Sequence, residues 1–525
     1  MTPPPNDTDG YDETVREELA EAEEARTGPR IEFHGGRLVS GFPIAFFIVW
    51  AIVQSGLLRI GDETGLVAGM LIGLILGMLF VKGNWRAYAN TIFEGMTQRV
   101  AATAVVAWLW AGMFASTIQA GGFVDGLVWA ANAADVGATL FPAITFLLAG
   151  LLATGIGTGY GTTVAFSTLV FPAGLLLGAN PVLMFGAILS GAVFGDNLAP
   201  VSDTTIVSAV TQDSDIGGVV ASRFKYAIVA ALFAVVTYVF AAGAMSGVNI
   251  TGVDAEQIIA QAQPIGLVHL LSMGIVIATA VMGRHIIEAI SWGLIVAFLL
   301  NVVLGLAPVS DMVVFNAPRD LGIAQSLSVL PFVELVDSAE TSVGGSIYSG
   351  AEGFFPLIVL VLLIVAAAQV MIRGGGFEAL QNWLLERVAT NVRRAETTMV
   401  LGTAMVNAMI TINTAAEIAI APYIARIGER FNINGYRRAN ILDANTSALG
   451  YIFPWSGGVL VGYAVIRTLP NQYDWFTQSM VVNPVDVWPF VFHGWFLVGV
   501  FLLAAWTGFG REYISDRETE EVARV

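Results

Sequence analysis

Residues 195–205 read Gly-Asp-Asn-Leu-Ala-Pro-Val-Ser-Asp-Thr-Thr, inside a largely apolar segment that begins near Pro181. Two carboxylates, Asp196 and Asp203, therefore lie in a region whose composition otherwise suits lipid. An aspartate at the centre of a membrane helix costs roughly 2.5–3.5 kcal/mol, so a pair of them indicates a functional site. Pro200, between them, lacks an N–H and clashes with the preceding turn, which predicts that the helix opens there.

An open helix at this position places several oxygen atoms near the two carboxylates. Backbone carbonyls freed at the break accompany the neutral side chains of Asn197, Ser202 and Thr204. Hard cations prefer oxygen ligands of this kind. The stretch therefore predicts an intramembrane site for a cation or proton, with Asp196 and Asp203 as sodium ligands. The alternative is a buried pair of helix-capping aspartates.

The composition assigns the chain to the polytopic membrane proteins. Hydrophobic residues make up 56% of its 525 positions, charged residues only 12%, and the mean hydropathy is +0.72. Soluble domains carry about 25% charged residues. The lipid bilayer is thus the expected partner and nucleic acid is not. There is no cysteine, which rules out disulfides and thiolate metal sites, and no cofactor is expected beyond the transported ions.

The charge is strongly acidic, with a net value of −17. Only Lys82 and Lys225 are lysines, against 22 arginines. Acid-rich, lysine-poor surfaces are typical of proteins from salt-loving organisms, where molar salt screens charge over only a few ångströms. A halophilic source is predicted, and sodium is then a plausible cargo.

Apolar stretches of spanning length predict an all-α fold with about ten transmembrane crossings. Two further pairs of apolar segments are shorter and are interrupted by Gly, Thr and Asn, which predicts two re-entrant hairpins lining a site. The hairpins are expected at 138–156 with 162–178 and at 397–412 with 415–427. The crossings are expected near 41–58, 65–82, 100–118, 181–210, 226–246, 264–282, 285–307, 354–372, 440–466 and 487–508.

The chain also repeats itself at an offset of 254 residues. The run 118–123, Ile-Gln-Ala-Gly-Gly-Phe, returns at 372–377 as Ile-Arg-Gly-Gly-Gly-Phe, and the same offset carries Pro200 onto Pro454. Five crossings in each half would invert the second half relative to the first, as in many transporters. With both termini cytosolic, 21 of the 24 Lys and Arg residues lie inside, as the positive-inside rule requires.

These features predict five regions in a multi-pass protein of the cell membrane. Residues 1–40 form an acidic cytosolic tail, expected to be mobile because the run shows no apolar face to bury. Residues 41–246 form the first transmembrane repeat, followed by an external linker at 247–263. The second repeat, 264–508, contains an acidic external insertion at 308–352, and residues 509–525 form a cytosolic tail.

The second half offers a matching set of polar residues. Asn413 and Thr414 lie at the break of its hairpin, and Asp443 and Asn445 lie on the span that follows. Thr158 occupies the equivalent hairpin break of the first half. Hairpin tips and broken helices that meet at the midplane would bring these groups to one central site. For Glu417, near the second hairpin, a ligand role and exposure to cytosolic water both stay open.

The run 194–205 resembles the signature of the NhaC family of sodium/proton antiporters. The run 157–162, Gly-Thr-Gly-Tyr-Gly-Thr, resembles the family's Gly-Thr-Ser-Trp-Gly-Thr, with Gly159 and Tyr160 as departures. The resemblance covers about residues 40–510. It implies that the family has an acidic residue at the position that Asp443 occupies here. It implies a secondary transporter that exchanges sodium for protons, although some members are described as carrying organic acids or amino acids with sodium.

A protease with two membrane aspartates is the alternative to a transporter. Intramembrane aspartyl proteases carry a Gly-x-Gly-Asp motif, whereas Val193 stands two residues before Gly195 here. Catalytic dyads also come from different helices, and Asp196 and Asp203 share one span. The chain is therefore not expected to be an enzyme.

Sodium/proton exchange by alternating access is the expected function. The alternative is sodium- or proton-coupled transport of a small carboxylate or amino acid. Such a cargo would need a cationic or hairpin N–H partner, and no Arg or Lys lies within the spans that carry the motifs. A homo-oligomer is an open possibility.

Overall fold

The structure, a computed structural model, describes residues 9–248 and 255–514. Parts of three predicted regions lie outside the described residues: 1–8 of the first tail, 249–254 of the linker and 515–525 of the last tail. The described chain is predominantly helical, which confirms the predicted fold class.

The helices of the first half are bounded by ordinary capping chemistry. Side chains of Asp62, Asn84, Asn180 and Asp215 accept hydrogen bonds from backbone N–H groups of the first turns of the helices they precede, which would otherwise lack partners. The helices are α1 Asp9–Thr27, α2 Phe42–Ala51, α3 Glu63–Met78, α4 Trp85–Met96, α5 Arg99–Ala120, α6 Phe123–Ala133, α7 Phe141–Ile156, α8 Gly159–Leu176, α9 Pro181–Asp196, α10 Asp203–Thr211 and α11 Ile216–Ala244.

The second half continues with a similar succession of long, short and broken helices. They are α12 Ala255–Gln261, α13 Leu270–Val281, α14 Ile286–Leu304, α15 Val309–Met312, α16 Gly322–Leu327, α17 Ser346–Glu352, α18 Phe355–Arg373, α19 Gly376–Arg387, α20 Val392–Ile410, α21 Asn413–Arg430, α22 Gly435–Leu449, α23 Gly457–Ile466, α24 Pro484–Val487 and α25 Phe492–Thr507.

The predicted acidic insertion at 308–352 contains a small sheet. Its strands are β1 Val314–Pro318, β2 Val333–Val336 and β3 Ser342–Gly344, in the order β2-β1-β3. β1 pairs in parallel with β2 and antiparallel with β3.

Eight helical segments of the described chain are long and apolar enough to cross a membrane. They are Arg37–Leu57, Trp85–Ala120, Gly159–Leu176, Ile216–Ala244, Pro264–Val281, Ile286–Leu304, Ser346–Arg373 and Gln478–Thr507. The helix expected over 181–210 is broken between Asp196 and Asp203, and the one expected over 440–466 between Leu449 and Gly457. The count of ten crossings and two hairpins, and the inversion of the halves, stay predictions.

The offset of 254 residues found in the sequence also relates the helix boundaries. It carries the first residues of α8, α9 and α10 onto the first residues of α21, α22 and α23. The two helix–helix junctions correspond as well, because Gly157 has φ 72° and Thr411, 254 residues later, has φ 63°. A β-branched residue rarely adopts this left-handed conformation, so the turn at Thr411 is retained at a conformational cost.

The expectation that the acidic first tail has no apolar face to bury is wrong. α1 packs Val15, Leu19 and Ala22 against side chains of α10 and α21, namely Ile206, Val207 and Ile418. The Arg26 guanidinium also donates to the Ile418 carbonyl oxygen. The three apolar positions follow the i, i+4, i+7 spacing of one helix face, but they form a narrow stripe among many acidic residues, and the sequence analysis overlooked it.

Candidate functional site

A small buried cavity lies where the two halves of the chain meet. Its volume is about 70 Å³, enough for a cation and a few water molecules. The junction of α7 and α8, the break between α9 and α10, and the junction of α20 and α21 all reach it. Its polar lining consists of Thr103, Thr158, Tyr160, Asp196, Asp203, Thr204, Asn413 and Thr414.

Asp196 ends α9 at one wall of this cavity. Its Oδ1 accepts a hydrogen bond from the Ser202 hydroxyl at 2.9 Å, and its carboxylate also accepts one from the Gly159 backbone N–H at the start of α8. A Cβ at Gly159 would lie 2.2 Å from the Tyr451 hydroxyl oxygen and 3.1 Å from Asp196 Oδ2. Glycine at this position therefore allows the first hairpin junction to approach the carboxylate.

Asp203 begins α10 on the other side of the break. Its Oδ2 accepts a hydrogen bond from the Thr414 hydroxyl at 2.6 Å, and its Oδ1 accepts one from the Thr204 backbone N–H at 3.0 Å. Because Thr414 belongs to the first turn of α21, the second hairpin junction contacts Asp203 as the first contacts Asp196. Asp196 is thus bound by residues of the first half, whereas Asp203 is bound by residues of both halves.

Neither carboxylate is neutralised by a basic side chain. Within residues 9–248 and 255–514, no ion pair involves Asp196 or Asp203, although Asp196 is only 4% exposed. A buried carboxylate without a counter-ion is costly unless it binds a proton or a metal cation. The hydroxyls of Thr158, Thr204 and Thr414 supply additional oxygens of the kind that sodium prefers.

A second buried carboxylate, Asp443 on α22, is neutralised. The Arg223 guanidinium of α11 contacts Asp443 Oδ2, and both side chains are fully buried. Asp443 also accepts hydrogen bonds from Thr205 at 3.2 Å and from Ser447 at 2.8 Å. Its oxygens are occupied by donors, and it does not line the cavity.

Arg223 also braces the break itself. Its Nη1 donates to the Asn197 carbonyl oxygen at 2.7 Å and to the Thr205 hydroxyl at 3.2 Å, and its Nε donates to Asn440 Oδ1 at 3.1 Å. One guanidinium therefore links the unwound residues after α9 to α10 and to α22. This position makes Arg223 a positioning residue for the site.

Glu417 on α21 is fully buried, which excludes the water-exposed alternative in this conformation. Neither of its carboxyl oxygens has a hydrogen-bond partner among the described residues. It lies beside the ion pair of Asp443 and Arg223, and its electrostatic neighbours also include Asp203.

The predicted site residues divide into two groups. The structure brings Thr158, Asp196, Asp203, Thr204, Asn413 and Thr414 together around the cavity. Four others lie outside it: Asn197, Ser202, Asp443 and Asn445.

Of those four, Ser202 supports Asp196 through its hydrogen bond, and Asn197 contributes its carbonyl oxygen to Arg223. Asn445 turns away from the cavity, since its side-chain amide donates to the Val400 carbonyl oxygen and to Thr403 of α20. Asn445 thereby ties α22 to the second hairpin. As a direct ligand it has no support in this conformation.

The sequence analysis missed Arg223, because it placed the start of that span at 226. The spans that carry the motifs contain no Arg or Lys, as expected, but Arg223 reaches the site from the neighbouring α11. A signal was present: Ala227, Ala230 and Ala234 follow Arg223 on the same face of α11, and all three are fully buried. Such a stripe of small residues indicates close helix packing, so the arginine that continues it is buried as well.

In comparisons with known proteins, the chain matches a family of antiporters. The sequence model of the Na+/H+ antiporter family matches residues 36–243 and residues 215–495. The two matches overlap, and together they cover most of the chain.

Three characterised relatives are antiporters. The arginine/ornithine antiporter ArcD of Halobacterium salinarum is 22% identical over 470 residues, which is 86% of this chain and 91% of the relative. The malate-2H(+)/Na(+)-lactate antiporter of Bacillus subtilis is 28% identical over 176 residues, 33% of this chain and 36% of the relative. The Na(+)/H(+) antiporter NhaC of Alkalihalophilus pseudofirmus is 22% identical over 160 residues, 30% of this chain and 34% of the relative. The chain thus spans about a third of the length of the last two relatives.

Proposed function

We propose that this chain, which belongs to the Na+/H+ antiporter family, exchanges sodium ions for protons across the cell membrane by alternating access. As a member of that family it is a secondary antiporter embedded in the membrane, and the family is one of transporters rather than enzymes. The single observation that carries the proposal is a pair of carboxylates, the buried Asp196 and the half-buried Asp203, that line one cavity without a basic partner.

The exchange follows from competition for these two carboxylates. Protons occupy Asp196 and Asp203 when sodium is absent, and a sodium ion that enters the cavity displaces them. Thr158, Thr204 and Thr414 complete the oxygen shell. Because sodium and protons are bound alternately, each direction of movement carries only one of them.

The second carboxylate cluster has a supporting role in this mechanism. Asp443 is paired with Arg223, and the buried Glu417 lies beside this ion pair. The cluster holds α10, α11, α21 and α22 together beside the cavity. It therefore positions the exchanging pair without itself exchanging ions.

Transport of a cationic amino acid is the second candidate. It is favoured by the alignment over nearly the whole length of the relative named as an arginine/ornithine antiporter. Uncompensated carboxylates would also attract such a cation. A cavity of about 70 Å³ would have to widen to admit an amino acid, whereas it accepts sodium as it stands. An anionic cargo is less favoured, because Arg223 is already bound to Asp443.

Transport by purified protein in liposomes separates these candidates. Internal pH is followed with a trapped dye as sodium, lithium, potassium, malate, lactate or arginine is added outside. We expect sodium to move protons and arginine to have no effect. Uptake of labelled arginine by liposomes loaded with ornithine, without any sodium-driven proton movement, would overturn the proposal in favour of the second candidate.

The orientation of the chain is part of the same proposal, with both termini cytosolic. Asp320 and Arg394 are exposed, and they are expected on opposite sides of the membrane. Since the chain has no cysteine, Asp320→Cys and Arg394→Cys each introduce one label site. In right-side-out vesicles an impermeant maleimide should modify only the cysteine at 320. Modification at 394 without permeabilisation would contradict the inverted arrangement.

A further inference from the structure

A second cavity, much larger than the one that the carboxylates line, lies on the outer surface of α20. This groove has a volume of about 720 Å³ and is open along one side. It runs between the end of α19, the first three turns of α20 and the end of α25. We call it the arginine groove, and the side chains that define it are Arg387, Arg393, Arg394, Leu401, Met405 and Trp506.

The arginine groove is basic at one end and apolar at the other. Arg393 and Arg394 begin α20, whereas Leu401 and Met405 lie two and three turns further along. From Arg393 to Met405 the helix rises about 18 Å. Leu401 is 54% exposed and Trp506 is 60% exposed, in a membrane protein whose outer surface contacts lipid. An aromatic residue at such a boundary is typical of the membrane interface.

The three arginines have no acidic partners. Among the described residues, none of Arg387, Arg393 and Arg394 forms an ion pair, and all three are exposed. The Arg394 guanidinium donates only to the Thr390 hydroxyl, at 3.1 Å. The chain has a net charge of −17, so a groove lined by three unpaired arginines is a positively charged region on an acidic protein.

We propose that the arginine groove binds a phospholipid with an anionic headgroup. The headgroup phosphate lies on the three guanidinium groups, which match phosphate oxygens through paired N–H donors. One acyl chain follows α20 past Leu401 and Met405. The charge at the interface and the apolar wall below it correspond to the two parts of a lipid, whereas a soluble phosphate would use only the first.

The site has a consequence for the second hairpin. α20 leads from the arginine groove to the junction at Thr411, beyond which Thr414 contacts Asp203. A lipid held on α20 therefore restrains the element that carries one of the cavity's ligands. Binding itself depends on the groove and not on which ion is transported, so this inference stands apart from the proposed function.

The test uses purified full-length protein and measures bound lipid by native mass spectrometry. Phosphatidylglycerol, phosphatidylcholine and soluble glycerol phosphate are compared on the wild type and on a variant that combines Arg387→Gln, Arg393→Gln and Arg394→Gln. Each basic residue near a membrane surface contributes about fivefold to the binding of anionic lipid, so the triple change should weaken phosphatidylglycerol about a hundredfold. Arg86→Gln is the matched control, since Arg86 is exposed on α4 away from the groove.

Each outcome decides the matter. Selective retention of phosphatidylglycerol by the wild type and by Arg86→Gln, with loss in the triple variant, supports the lipid site. Equal retention by the triple variant overturns it. Displacement of phosphatidylglycerol by equimolar glycerol phosphate would show that the groove recognises a free phosphate, and the lipid proposal would then be wrong. A matching change, Leu401→Asn, should weaken phosphatidylglycerol and leave glycerol phosphate unaffected.

Discussion

Two carboxylate clusters lie side by side in this protein, and a basic partner distinguishes them. Asp196 and Asp203 face a cavity without a basic residue, whereas Asp443 is bound by Arg223. Asp196 and Asp443 are both buried, so burial alone does not distinguish the clusters. The difference is the guanidinium that neutralises Asp443. A carboxylate with a permanent partner has no need of sodium, and one without a partner must find a proton or a metal cation.

The largest loss of transport is expected from changes to the two carboxylates that have no basic partner. Asp196→Asn and Asp203→Asn each remove a charge that sodium requires, and we expect each to lower sodium-driven proton movement at least a thousandfold in liposomes. Both variants should still fold, because an amide is accommodated where a protonated carboxyl is. Asp474→Asn, on an exposed loop, is the control and should exchange normally. Normal transport by both site variants would remove these residues from the mechanism.

In the cluster of Asp443 and Arg223, substitution should lower the free energy of unfolding. Asp443→Asn leaves Arg223 buried without a partner, which costs about 3–5 kcal/mol. Thermal unfolding of the purified variant should show this loss, and a variant that combines Arg223→Gln with Asp443→Asn should recover part of it. If the single and double variants are equally destabilised, the pair is not coupled as the structure indicates.

A smaller, pH-dependent effect is expected beside the exchanging pair, at Glu18 of α1. Glu18 is 3% exposed and accepts a hydrogen bond from the Thr103 hydroxyl at 3.0 Å. Burial, followed by the charge of Asp203, raises the pKa of Glu18 from 4.5 to about 8, while Thr103 and Arg99 oppose the shift. Glu18 is therefore more readily protonated when α1 is docked than when α1 is undocked. Docking should be strongest below pH 4.5, weaken by up to about tenfold per pH unit toward pH 8, and level off above it.

Cysteine labelling measures this docking without any transport. Val15→Cys lies on the buried face of α1 and Ala20→Cys on its exposed face, so the ratio of their labelling rates cancels the pH dependence of the thiol. The ratio should rise with pH in the wild-type background and in Glu24→Gln, an exposed control, and stay low in Glu18→Gln. The prediction fails if Glu18→Gln behaves as the wild type does.

The sequence predicted the broken helix and its carboxylates well, for a physical reason. Proline and two acids in an apolar segment conflict with an ordinary membrane helix, and the conflict is visible in the residues themselves. The offset of 254 likewise located both helix junctions, since Gly157 and Thr411 adopt the same backbone conformation.

What the sequence did not predict depends on contacts between distant elements. Arg223 stands 220 residues before Asp443, and only the packed structure shows that they meet. The docking of α1 was missed because its apolar stripe is narrow. Asn445 was expected to be a ligand because of its neighbours in the chain, but its helix turns it toward α20.

The central claim is that sodium and protons compete for Asp196 and Asp203. Calorimetric titration of sodium into the purified protein at several pH values tests it most directly. Where one bound proton must leave, the sodium affinity should fall about tenfold for each unit that the pH is lowered, or about 1.4 kcal/mol. Two competing protons would steepen the fall toward about a hundredfold. Asp203→Asn should flatten the slope, while the combined Arg223→Gln and Asp443→Asn variant should retain it. A sodium affinity that does not change with pH would contradict the account, because the two ions would then occupy separate sites.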